Sequence, residues 1–221
     1  MRFTADDVDL DDEIITLLAN NNLVIFVGAG VSAQAYPRQR LKTYYPTFRQ
    51  LVYEIAEKLG RKVSEQERRL LKEGFSDRIL GKWEADGDDA HSIAAQVLTE
   101  NEDEQRIDLH RAIIRLFPFG AEPRIVTTNF DNLLIRAVQE EGFGNDSRWK
   151  ICEAPSLPPA NRARFQGICF LHGRVVTPKE MILTDKDIGR AYMDEGWALR
   201  FAYNLFRNFS VLFLGYSLAG C

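Results

Sequence analysis

Hydrophobic and polar positions follow two rhythms along this chain. Four stretches are apolar for about a strand's length and then break into glycine or small polar residues. They are Leu23–Val27 before Gly28-Ala29-Gly30, Arg124–Thr127 before Thr128-Asn129-Phe130-Asp131, Ile168–Leu171 before His172-Gly173, and Val211–Leu214 before Gly215-Tyr216-Ser217. Runs without a polar face read as strands buried on both sides, the mark of a parallel sheet covered by helices. Between them, apolar residues recur at helical spacing: Ile14, Ile15, Leu17 and Leu18; then Phe48, Leu51, Val52, Ile55 and Leu59; then Leu133, Leu134, Ala137 and Val138. These are inward helix faces.

Capping signals set the helix starts. Asp11 or Asp12, Thr47 and Thr184-Asp185 are N-caps, and Ser64-Glu65-Gln66-Glu67 is a capping box. The pattern predicts helices through Asn20, from Thr47 to about Leu59, from Asn129 to Glu141, from about Lys186 to Tyr192, and from Trp197 to Asn208. Trp149–Cys152 and Met181–Leu183 are expected as short strands, residues 1–10 as a tether, and Ala33 to Pro46 as a loop long enough to act as a lid. Gly74, Gly81 and Asp86-Gly87-Asp88-Asp89 should chop residues 61–117 into short helical pieces, with 91–98 and 105–117 amphipathic. The expected fold is α/β: a Rossmann-like, mostly parallel sheet flanked by helices, one domain over 1–221, with 61–117 a helical insertion forming a smaller lobe.

Composition narrows the partners. A chain of 221 residues that is 45% hydrophobic supplies one sizeable core. A net charge of −4 argues against direct nucleic-acid binding. Cys152, Cys169 and Cys221 form no C-x-x-C pair, so no zinc module and no metal are expected, and Cys169 inside an apolar run is a core residue. An odd cysteine number without a secretory leader fits a reducing cytoplasm, and no apolar run reaches membrane-spanning length.

The chemistry sits where the strands end. Ligands in open α/β sheets bind beyond the carboxyl ends of the strands, and this architecture would bring Gly28, Gly30 and Ser32, Asn129 and Asp131, His172, and Gly215 and Ser217 to one edge. A helix starting at Ala29 or Gly30 would offer free N–H groups to a phosphate. The dinucleotide fingerprint G-x-G-x-x-G fails, because Ala33 stands at its last position. His172, beside an apolar run, suits a partly desolvated, neutral base, although a hydrogen-bonded core histidine is the commoner case at a strand end. Asn129 equally suits a helix cap, Asp131 the same helix N-terminus, and Ser217 a turn. His91 and His110 lack matching partners and read as structural or surface residues.

The ordered set G-A-G-x-S, T-T-N-F-D, L-H-G and G-Y-S, each on an apolar run, resembles the sirtuin fold. With Met181-Ile182-Leu183-Thr184, Asp185 and Tyr192 following His172-Gly173, it is most similar to the sirtuin-like NAD-consuming domains of bacterial antiphage defence, over residues 12–218. The resemblance implies NAD as substrate. Gly28, Ala29, Gly30 and Ser32 would cradle its phosphates, and Asn129 would hold the nicotinamide ribose and the attacking water. Asp131 would meet the carboxamide, His172 would be the general base, and Gly215 and Ser217 would touch the adenosine side. The chain departs from sirtuin deacylases in two places. Ala35-Tyr36-Pro37-Arg38-Gln39-Arg40 stands where they carry G-I-P-D-F-R, leaving Arg38, Arg40, Tyr44 or Tyr45 for the nicotinamide end, and no four-cysteine zinc module is possible.

The resemblance therefore implies an NAD⁺ glycohydrolase, releasing nicotinamide and ADP-ribose as a gated effector of abortive infection. Its gate would be assembly into a homo-oligomer, a sensor partner, or a C-terminal region beyond the apparent cut after Ser217. An NAD-dependent deacylase or ADP-ribosyl transferase is the enzymatic alternative. A non-catalytic module that senses NAD or ADP-ribose is the other.

Overall fold

The computed structural model describes residues 2–3, 8–9, 11–33, 35–37, 45–100, 102–117 and 120–216. In chain order the elements are β1 (Arg2–Phe3), β2 (Val8–Asp9), α1 (Asp12–Ala19), β3 (Leu23–Val27), α2 (Ala29–Ser32), β4 (Tyr36–Pro37) and α3 (Phe48–Lys58). Then come α4 (Glu65–Lys72), α5 (Ser76–Ala85), α6 (Ala90–Thr99), β5 (Gln105–Arg106), α7 (Asp108–Arg115), β6 (Arg124–Thr127) and α8 (Leu133–Glu140). The last are β7 (Ile151–Glu153), β8 (Gly167–Phe170), α9 (Asp185–Gly189), a π-helical turn (Arg190–Asp194), α10 (Trp197–Asn208) and β9 (Ser210–Leu214).

The central sheet has five parallel strands in the order β7-β8-β6-β3-β9. Its inner strands β3, β6 and β8 are buried along their whole length, as their uninterrupted apolar runs require. Alternate residues feed two cores. Leu23, Ile25, Val27, Ile125, Ile168 and Phe170 face a cluster shared with α3 and α5–α8, whereas Val24, Phe26, Val126, Cys169 and Leu171 face one shared with the π turn and α10. This is a three-layer α/β, Rossmann-like fold.

The amino end of the sheet is closed by a buried charge. Arg124 is 1% exposed. Its guanidinium donates to the carbonyls of Phe165 at 2.9 Å, Asn21 at 2.8 Å and Arg162 at 3.2 Å, and pairs with Glu122. A buried cation is tolerable only when its donors are met in this way. That end is structural, which leaves the carboxyl end for chemistry.

Local signals set several boundaries. Thr47 with Gln50, and Ser64 with Glu67, form reciprocal capping boxes at α3 and α4, and Asp11 accepts from Glu13 N–H at the start of α1. Four expectations are corrected. Gly81 does not break a helix: it lies inside α5, where a Cβ would collide with the Asp185 side chain, so the glycine serves close packing of α5 on α9. The segment 105–117 begins as β5, paired with β4 inside the expected lid, and its helix runs only over Asp108–Arg115. Met181–Leu183 forms no strand; Ile182 N–H merely donates to His172 O at 2.8 Å. The helix after β6 starts at Leu133 rather than Asn129, because Asp131 Oδ1 accepts from Leu133 N–H at 3.1 Å and holds the preceding turn. Most of the expected lid, at 34 and 38–44, lies outside the described residues.

Candidate active site

At the carboxyl ends of β3, β6 and β8 the structure brings Ala29, Ser32, Asn129, Asp131 and His172 to one cavity of about 240 Å³. Its other walls are largely apolar: Phe48 and Leu51 from α3, Leu98 from α6, and Ile182, Leu183 and Ile188 from the segment after His172. Tyr45 also lines it, with its hydroxyl donating to Leu98 O at 3.0 Å. Of the residues proposed for the nicotinamide end, Tyr45 is the one that is described; Arg38, Arg40 and Tyr44 are not.

The floor is a buried polar network. Ser32 Oγ donates to Asp131 Oδ2 at 2.8 Å and accepts from Asn129 Nδ2 at 2.9 Å. His110 Nε2 lies 3.3 Å from the same hydroxyl. Because the one Ser32 proton goes to Asp131, His110 must contribute its Nε2–H. Asn129 Nδ2 also donates to Gly28 O at 3.2 Å, so both its amide protons are spent on the protein. What Asn129 can offer a bound molecule is its carboxamide oxygen, an acceptor.

The electrostatics of this floor are unusual. Burial raises the Asp131 carboxyl to about 6 against the opposing hydrogen bonds from Ser32 and Leu133, and the charge of Glu102 adds to the rise. Burial lowers His172 to about 4. It does the same to His110, with Arg136 adding to the effect. Both imidazoles are therefore neutral at physiological pH, and His172 can accept a proton. Its Nε2 is 2.7 Å from the Tyr192 hydroxyl.

The glycine segment behaves differently from a phosphate cradle with free donors. Gly28 N–H donates to Leu214 O at 2.8 Å, Gly30 N–H to Gly215 O at 2.8 Å, and Val31 N–H to Gly28 O at 3.1 Å. A Cβ on Gly30 would stand 2.7 Å from Gly215 O, and one on Gly215 2.5 Å from Val31 N. The glycines thus let two backbones lie against each other, and α2 is only four residues long. Gly28, Gly30 and Gly215 form a seam beside the cavity. Ser217 lies outside the described residues.

Two histidines read as unpartnered are corrected. His110 lies buried behind the cavity floor, against Ser32. Its signal was present in the sequence: His110, Ile113 and Ile114 share the inward face of α7. His91 is clamped between carboxylates, with Nδ1 against Glu84 and Nε2 3.0 Å from Asp187. Among the described residues no group of three or more His, Cys, Asp or Glu is arranged to hold a metal ion, and no helix is long and apolar enough to cross a membrane.

Residues 123–220 match the SIR2-like domain family, and SIR2-like domains use NAD. A Sinorhizobium fredii protein, y4cA, described as uncharacterized, is 29% identical over 222 residues. The alignment covers 95% of this chain and 18% of that protein, so the chain spans under a fifth of its relative's length. The SIR2-like match supports an NAD-related role.

Proposed function

We propose, from the SIR2-like segment over residues 123–220, that this chain is an NAD⁺ glycohydrolase whose reaction takes place in the cavity floored by Ser32, Asn129, Asp131 and His172. The observation that carries the reading is a neutral histidine and a donor-spent asparagine on one mostly apolar cavity. The residues fit the nicotinamide end of NAD⁺. Apolar walls suit a flat ring, and among the described residues no lysine or arginine lines the cavity to repel a cationic one. Asp131 lies deep enough to meet a carboxamide.

Cleavage breaks the bond between ribose C1′ and the ring nitrogen, and the electron pair of that bond leaves with nicotinamide. Positive charge builds on the ribose. The Asn129 oxygen accepts from the attacking water and holds it in place, and His172 takes the proton that water loses. Both groups are neutral before the step, so neither opposes the developing charge. The N–H groups of Gly28, Gly30 and Val31 are spent within the chain, so of the glycine segment it is Ala29, on the cavity wall, that would lie against the substrate.

An enzyme that drains NAD⁺ must be controlled, and control by a sensor region, a partner or homo-oligomer assembly belongs to the same proposal, as does a cytoplasmic role in abortive infection. The much greater length of the Sinorhizobium relative supports a setting of this kind. The test is chromatographic analysis of NAD⁺ incubated with the protein, with and without an acyl-lysine peptide. Nicotinamide and ADP-ribose formed in equal amounts without peptide are expected. Release that requires the peptide would assign a deacylase, and intact, tightly bound NAD⁺ would assign a sensing module.

A further inference from the structure

We propose that Tyr192 is a positioning residue that holds His172 in its Nε2–H tautomer, so that Nδ1 is the nitrogen that acts as the base. The inference rests on the NAD⁺-cleaving reading. A neutral imidazole carries one N–H, on one nitrogen or the other. Nε2 of His172 is engaged by the Tyr192 hydroxyl at 2.7 Å, with the rings edge to face at 6.0 Å and 89°. Nδ1 is therefore left to meet a substrate. It has a lone pair only when the hydrogen sits on Nε2, so the phenol oxygen must be the acceptor of that bond.

The surroundings suit this role. Burial raises the Tyr192 phenol to about 12, with Tyr216 adding to the rise, so the partner is a neutral hydroxyl and not a phenolate. When Nδ1 takes a proton, the Nε2–H···O bond becomes charge-assisted and steadies the imidazolium.

Tyr192 is also placed by an unusual piece of backbone. It lies in the π-helical turn Arg190–Asp194 between α9 and α10, and such turns often re-aim a side chain at a functional site. Ala191, its neighbour, is fully buried in the core beneath the sheet. Asp187, one turn earlier, caps α9 through Thr184 and pairs with His91. The element that carries the phenol is thus anchored from both sides.

The tautomer is read directly by ¹H–¹⁵N correlation spectra of the protein labelled with ¹⁵N-histidine. The chain has three histidines, and the His172 signals are identified by their loss in His172→Ala. The expected wild-type spectrum at neutral pH shows His172 protonated at Nε2 and bare at Nδ1. Tyr192→Phe should shift it toward a mixture and lower kcat for NAD⁺ about 10- to 100-fold with little change in KM, a part of the roughly 10²–10⁴-fold that a general base contributes. A wild-type His172 protonated at Nδ1 would overturn the proposal, whether or not the variant folds. So would a folded Tyr192→Phe with unchanged tautomer and kcat. The Nε2–H tautomer in a protein that cleaves no NAD⁺ would overturn the reaction and leave the pairing intact.

Discussion

Two buried polar clusters lie on either side of the segment from Ile182 to Ile188, and they are built on opposite principles. In the clamp of His91, Glu84 and Asp187, each charge meets its opposite. Burial works against the charged His91, yet the carboxylates of Asp187 and Glu84 outweigh it and raise the imidazole to about 9. Burial likewise opposes the Asp187 carboxylate, yet hydrogen bonds from His91 and Thr184 hold it near 2. On the cavity floor burial prevails: His172 and His110 fall to about 4, and Asp131 rises to about 6 in spite of its hydrogen bonds from Ser32 and Leu133. A cluster that satisfies itself holds helices together. One in which burial prevails fits the proposed site for something that is not part of the chain.

The largest expected effect breaks the floor without breaking the fold. Asn129→Ala and His172→Ala should each lower NAD⁺ cleavage by about 10²–10⁴-fold, with the thermal midpoint close to wild type for His172→Ala and about 2–4 °C lower for Asn129→Ala, which unpairs Ser32 Oγ and Gly28 O, as read by nicotinamide release and by melting followed in circular dichroism. The clamp should show the reverse. His91→Ala leaves two carboxylates facing each other and should lower stability by about 2–4 kcal/mol in denaturant titration, with a far smaller loss of activity in the folded protein than either floor variant shows.

The two clusters should also separate by pH. His91 has a folded pKa above its ordinary 6.5, so its stabilisation is complete below about 6.5 and is lost as pH rises through about 9. Asp187 is depressed below 3.8, so its contribution is complete above about 3.8 and is lost as pH falls through about 2. The floor histidines run the other way from His91, their cost growing as pH falls from about 6.5 toward 4. Stability of His91→Ala between pH 6.5 and 9 should therefore decline less than that of the wild type. A parallel decline would refute the assignment of that window to His91.

Smaller effects sharpen the contrast. Asp131→Asn keeps one acceptor where Ser32 O–H and Leu133 N–H each need one, so it should lower stability at pH 7 by about 1–2 kcal/mol in denaturant titration while impairing cleavage. Gly30→Ala should cost about 1–3 kcal/mol, because its Cβ meets Gly215 O at 2.7 Å and one backbone must move.

The parts of this molecule that were legible in its sequence obey local rules. β3, β6 and β8 announced themselves as unbroken apolar runs, Thr47 as a cap before an apolar helix face, Ser64 with Glu67 as a capping box, and α10 as an uninterrupted amphipathic stretch ending at Asn208. The strand ends then gathered Ser32, Asn129, Asp131 and His172, because a parallel sheet leaves its carboxyl ends on one edge. What was not legible depends on tertiary neighbours. Of the apolar run Met181–Leu183, Ile182 and Leu183 line the cavity instead of pairing as a strand. Gly81 looks like a helix breaker until Asp185 is seen against it. Helical spacing put His110 inward but gave no hint that Ser32 waited there, and nothing near His91 in the chain points to Asp187. The glycines announced a close approach without saying that its object was the chain's own Gly215.

The most direct test of the central claim is nicotinamide release from NAD⁺ by the purified wild-type protein beside Asn129→Ala and His172→Ala. Release by the wild type, with a drop of about 100-fold or more in each folded variant, is the predicted result. Equal release by all three would contradict the assignment of the water holder and the base. NAD⁺ that stays bound and intact with all three would contradict the enzyme itself.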